Sequence, residues 1–168
     1  MRLINIILFI PLIVGLHSCG YSEKFNEVNH NNEFIISFPD YMEDCNDFSA
    51  DLGSKNSYRN TYAFVKVYEK EGQSLAQFHE SVLNILKNYE LLKDPLVTDS
   101  VYRQGVNFTA IDIELYGVME NENIYYWHSA FESAGKFFEV VCWTRSMDRK
   151  QRYGSDLEKI ITGFKPLI

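Results

Sequence analysis

The chain has 168 residues, 46 % of them hydrophobic and 23 % charged, which fits one folded domain and excludes both a disordered chain and a multi-span membrane protein. A net charge of −7 argues against nucleic-acid binding, because phosphate backbones select a surplus of Lys and Arg. Three cysteines are too few for a disulfide scaffold.

One cation, Arg2, precedes an apolar run from Leu3 to Leu16. Fourteen residues of helix reach about 21 Å, short of the ~30 Å hydrocarbon core, so the run suits a secretory h-region better than a membrane span. Leu16-His17-Ser18-Cys19 resembles the bacterial lipobox. The resemblance implies a signal peptide over 1–18, cleavage before Cys19, and a diacylglycerol thioether on the Cys19 thiol. The freed amino group is then a second acylation site. Two or more acyl chains hold far more firmly than one. Losing Arg2 leaves a mature chain of charge −8. Such a domain gains nothing from anionic lipid, so the acyl chains do the anchoring. Residues 19–32, rich in Asn and without periodicity, read as the lipidated N-terminus and a flexible tether. The single domain is expected over 33–168.

Within it, 33–38 reads as a strand stopped by Pro39, and 40–60 as a polar, acidic loop. A β-branched and aromatic run over 61–69 predicts a second strand. Ser74 and Gln77 match a capping box. Leu75, Phe78, Val82, Leu83, Ile85, Leu86 and Tyr89 then recur at helical spacing and predict a helix over 74–88. Four further strands are predicted at 97–103, 106–118, 124–132 and 136–145. Gln104-Gly105, Glu120–Asn123 and Ser133-Ala134-Gly135 are short turn-rich links that favour antiparallel pairing. The last strand is apolar on both faces apart from Glu139, as a doubly covered strand is. A closing helix covers about 148–162, with Ser146 or Asp148 as its cap and Gly163 at the C′ position. Gly154 costs that helix about 1 kcal/mol relative to Ala and permits a later start at Ser155. The sum is α+β: a mainly antiparallel six-stranded sheet with two helices in a three-layer sandwich, the helices on one face or on both.

The Phe34–Pro39 opening, the capped helix after the second strand, the four-strand meander and the closing Ile160-Ile161-Thr162-Gly163-Phe164 resemble the PsbP-like family over about 33–166. That family includes photosystem-associated proteins, a nuclear-transport cofactor and bacterial envelope lipoproteins. The resemblance implies a non-enzymatic binding or accessory domain with no shared catalytic residues.

The candidate chemistry is sparse. His79 has no second His one turn on, so no zinc pair forms on its helix. His128 lies mid-strand; each reads as a solvent-facing or satisfied structural histidine. Asp112 and Glu114 share one face of a strand, read as a solvated polar face. The acidic 40–51 loop lacks the ligand order of a calcium loop, and Arg145, Arg149, Lys150 and Arg152 read as local pairing partners. No catalytic residues, no metal and no cofactor are assigned. With Cys19 acylated, Cys45 and Cys142 are the one candidate disulfide pair in an oxidising compartment, although Cys142 sits among core residues, where a buried thiol is common. Aromatics make up 15 % of the chain, and Tyr125-Tyr126-Trp127 suit a protein interface. The expected function is therefore a membrane-anchored lipoprotein of the bacterial cell envelope, its domain outside the cytoplasm, binding a protein partner and no nucleic acid. An envelope hydrolase and a protective, immunity-type binder of a toxin are the alternatives.

Overall fold

The computed structural model describes residues 23–46, 49–88 and 93–167. In chain order they form β1 (Phe25–His30), β2 (Phe34–Pro39), β3 (Glu43–Asp44), β4 (Leu52–Asn56), β5 (Thr61–Glu69), α1 (Leu75–Asn88), β6 (Lys93–Gln104), β7 (Thr109–Met119), β8 (Glu122–Ser133), β9 (Lys136–Arg145), α2 (Met147–Gly163) and β10 (Lys165–Pro166). Every strand pairing is antiparallel.

There are two sheets, not the single six-stranded one expected. The larger runs β3-β4-β5-β9-β8-β7-β6 and the smaller β1-β2-β10. The 40–60 segment, read as loop, contributes β3 and β4 to the β5 edge. The first predicted strand leaves the main sheet and pairs with β1 on one side and β10 on the other. Residues 25–30, assigned to the flexible tether, are thus an ordered strand in register with β2 from Phe25↔Pro39 to His30↔Phe34. Asn31 and Asn32 both take positive φ (51° and 59°), and the Glu33 N–H closes the turn onto His30 O at 2.9 Å. The asparagines serve as hairpin residues that tolerate the left-handed region.

One helix covers each face of the large sheet. α1 starts with the predicted capping box: the Ser74 N–H donates to Gln77 Oε1 at 2.9 Å, and the Gln77 N–H donates to Ser74 Oγ at 3.3 Å. It buries Leu75, Phe78 and Val82 against Ala130 and Phe137; Phe78 stacks on Phe137 at 4.5 Å. Leu83 and Leu86 pack on Leu115, Ile124, Tyr126 and Val141. Ile85 faces solvent, and Tyr89 lies outside the described residues. On the opposite face, α2 and β2 share the main core with Val65, Phe131, Phe138 and Val140.

α2 spans the whole predicted helix and begins earlier than Ser155. Ser146 stands at the N-cap without a side-chain cap bond, and Asp148 lies in the first turn, where a carboxylate suits the dipole. Gly163 is not a left-handed C′ residue; it is the last helical residue, and Phe164 follows extended. Gly154 is explained by a close approach: a Cβ there would lie 3.2 Å from Trp127 Cζ2.

The candidate disulfide is corrected too. Cys45 lies beside β4, its N–H donating to Gly53 O at 2.9 Å, and Cys142 is in β9. Cys45 directly follows β3, and the order β3-β4-β5-β9 puts three inter-strand steps, roughly 14 Å, between it and Cys142, where a bridge needs Cα atoms within about 7 Å. Both cysteines are buried thiols, and burial pushes the Cys142 thiol well up.

Candidate functional site

Register decides which side chains meet. Along β8, Tyr125 and Trp127 face α2, and Tyr126 faces α1, so the aromatic triplet splits between the two faces as period-two geometry requires. On the α2 face, Glu114 of β7 lies opposite Trp127 of β8. The Trp127 indole Nε1–H donates to Glu114 Oε1 at 3.0 Å, and Lys150 Nζ, from the first turns of α2, donates to Glu114 Oε2 at 3.2 Å. The same ammonium lies 5.0 Å from the centre of the Tyr125 ring and 5.8 Å from that of Trp127. The Tyr116 ring lies 5.3 Å from Tyr125, and its hydroxyl donates to Asn123 Oδ1 at 2.8 Å.

These groups line a groove of about 420 Å³ whose wall includes Glu114, Tyr116, Tyr125, Trp127, Met147 and Lys150. That size falls within the range of small-ligand and side-chain pockets. Burial, and then Tyr116, push the Tyr125 hydroxyl up. On the reverse side, burial outweighs Arg145 and moves Tyr126 up to about 12. Glu114 and Lys150 neutralise each other. The Tyr125 and Trp127 rings are buried beneath them, so half-buried Tyr116 and exposed Met147 supply the groove's accessible apolar area beside one dipolar edge.

Asp112 lies two residues back on the same face, as predicted, but it is not a solvated carboxylate. It is half-buried, receives Arg103 Nε at 2.8 Å and also accepts from the Ser129 hydroxyl. Arg103 in turn donates to Ile161 O at 3.4 Å, which ties the β7 carboxylate to the end of α2.

The two histidines that looked unrelated in sequence meet beneath α1. His79 of α1 and His128 of β8 have ring centroids 5.5 Å apart. His128 is fully buried; its Nε2 sits 3.2 Å from Glu139 Oε1, and its Nδ1 has no hydrogen-bond partner. The Tyr68 hydroxyl donates to Glu139 Oε2 at 2.7 Å. Burial by itself raises the Glu139 carboxyl, but His128, the Tyr68 hydroxyl and Lys66 together outweigh it, and the net shift is downward. The Tyr68 phenol is driven well up by burial and by Glu139. The sequence signal for this cluster was Glu139, the one polar interruption of an otherwise apolar strand. Its partners came from three other elements and carried no sequence mark.

Of the basic set, Arg145 and Lys150 pair with carboxylates, while Arg149 reaches a backbone carbonyl. Arg145 lies 3.3 Å from Glu120 and 3.6 Å from Glu122, and Arg149 Nη1 donates to Tyr58 O at 3.0 Å. Among the described residues no group of three or more His, Cys, Asp or Glu is placed to hold a metal ion, and no helix is long and apolar enough to cross a membrane. Cys19 lies outside the described residues.

No protein-family model and no curated protein matches the sequence. Solved structures do match in fold. The solution structure of cyanobacterial PsbP from Synechocystis matches with a TM-score of 0.65 at 12 % identity, over 90 % of this chain and 98 % of its own. The Saccharomyces cerevisiae Ran-binding protein Mog1p matches at 0.59 and 12 % identity, over 87 % and 97 %. LpqN of Mycobacterium tuberculosis, described as involved in cell envelope biogenesis, matches at 0.58 and 12 % identity, over 85 % and 91 %. The fold is therefore PsbP-like.

Proposed function

We propose that the protein is a lipid-anchored cell-envelope lipoprotein whose PsbP-like domain is a non-enzymatic binding module, its contact made at the Tyr116–Tyr125–Trp127 groove. The observation that carries this reading is the groove's chemistry. A groove floored by the buried Tyr125 and Trp127 rings, with Tyr116 and Met147 accessible at its wall beside a mutually neutralised Glu114–Lys150 pair, suits recognition of another surface. A general acid or base needs instead a group free to exchange its proton. Support comes from two neighbours with this fold, one named as a Ran-binding protein and one as involved in cell envelope biogenesis.

The anchor rests on the Leu16–Cys19 lipobox. Metabolic labelling with a fatty-acid analogue should mark the wild-type protein, and Cys19→Ala should abolish the label and move the domain from the membrane to the soluble fraction. Label retained by the Cys19→Ala protein would contradict the anchor.

A further inference from the structure

The first described residues are fastened to one end of the domain. Arg59 Nη1 donates to Glu23 Oε1 at 3.1 Å, and the next residue, Lys24, accepts the Asp40 N–H at 2.8 Å. Arg59 is itself immobilised, its guanidinium stacked 4.0 Å over the Tyr41 ring. Only three residues, 20–22, separate Cys19 from Glu23, so across four Cα steps an acyl-bearing Cys19 stands at most about 14 Å from this point. The end of the domain that holds Glu23 is therefore the end nearest the bilayer.

Strand pairing says what else is at that end. β5 starts there and runs away from it for nine residues, roughly 27 Å of strand. The β4–β5 turn is therefore near the lipid, and the β8–β9 turn at Ala134-Gly135 is far from it, since Thr61 pairs with Thr144 and Glu69 with Lys136. The β6–β7 turn carrying Val106 is also at the far end, because Gln104 pairs with Thr109 and Thr109 with Glu132. At the near end, Tyr58 in the β4–β5 turn is 87 % exposed, an unusual degree for a phenol. Its backbone carbonyl is clamped by Arg149, so the ring is presented outward from a held turn.

We infer that the β4–β5 turn is a membrane-contact surface, with Tyr58 seated among the phospholipid headgroups and Arg149 beside it. This rests on the proposed acylation of Cys19. Tyrosine favours the interfacial layer, where its ring is sheltered and its hydroxyl stays wet. The partner is the zwitterionic bilayer surface. Glu120 and Glu122, paired to Arg145, lie at the same end about three strand spacings, roughly 14 Å, away. With the chain's net negative charge, they oppose attraction to anionic lipid. Tyr58 thus orients a domain that the acyl chains hold, and it places the end of the groove at Asn123 and Met147 toward the membrane.

The test uses the full acylated protein in phosphatidylcholine vesicles carrying a headgroup nitroxide. A fluorophore is placed by Ser57→Cys, which keeps Tyr58, or by Val106→Cys at the opposite end; Cys45 and Cys142 are buried and Cys19 is acylated. Quenching several-fold stronger at 57 than at 106 is expected. It should fall when Tyr58→Ala is added, or when a long Gly-Ser insert follows Gly20. Equal or reversed quenching in protein that is acylated and vesicle-bound overturns the orientation alone. Absence of acyl mass on Cys19 overturns the anchoring reading, and the orientation with it.

Discussion

Glu139→Ala is expected to destabilise the domain by about 3 kcal/mol at neutral pH, the upper end for leaving a buried hydrogen-bonding group without its partner. The carboxylate is the common acceptor of His128 and Tyr68. Without it, His128 is left fully buried with neither nitrogen satisfied, since its Nδ1 already lacks a hydrogen-bond partner. The Tyr68 hydroxyl loses its acceptor as well, and each stranded buried group costs about 1–3 kcal/mol. The loss has a pH signature. The folded-state pKa of Glu139 lies below its ordinary 4.5, so the unfolded chain binds this proton first as the solution is acidified. Its contribution is complete above the unfolded value and is lost as pH falls through the folded one. The wild type should therefore lose stability below about pH 4.5 in a way that Glu139→Gln does not. Urea denaturation at pH 7 and pH 4 reads both effects. A Glu139→Ala cost under about 1 kcal/mol would mean that the cluster is solvated.

Phe164→Ala should cost about 3–5 kcal/mol, the usual range for truncating a buried phenylalanine. The Phe164 ring touches Phe34, Phe131 and Phe138, with centroids 5.3, 4.6 and 5.6 Å away. Those three partners belong to β2, β8 and β9, so one side chain joins the small sheet to the large one. Lys165 then pairs with Ile35. Truncation should loosen the small sheet ahead of the large one. Hydrogen exchange is expected to speed first at β1 and β2 amides, with β8 and β9 protected until global unfolding. Ile85→Ala, at an exposed apolar position of α1, should change stability by less than about 0.5 kcal/mol. Similar costs for the two substitutions would show that Phe164 does not bridge the sheets.

The parts legible in sequence were those governed by neighbours along the chain. The capping box at Ser74, the 61–69 and 136–145 strands, the Glu120-Asn121 and Ala134-Gly135 hairpins and the α1 stripe all rest on spacings within one element. The parts that were not depended on pairing between distant elements. Phe25–His30 has no strict alternation of burial and no apolar run, so only its pairing with β2 makes it a strand. Asn31-Asn32 was the signal for a hairpin, but it sat in a stretch whose composition also suits a tether. Gly154 looked like a helix defect until Trp127 arrived beside it from β8. His79 and His128 are 49 positions apart, and nothing in either segment announces the other. In the groove, the shared face of Asp112 and Glu114 was readable from alternation, but their ion pairing to Arg103 and Lys150 was not.

The claim that the domain works by binding through its aromatic groove is tested most directly by site-specific photo-cross-linking in intact cells. A photoreactive residue at Met147, half-exposed on the groove rim, is compared with one at Val106, fully exposed at the far end of the domain. The account predicts a discrete protein adduct from position 147 that position 106 does not give. The same adduct from both positions, or no adduct from 147 in folded, membrane-bound protein, would contradict it.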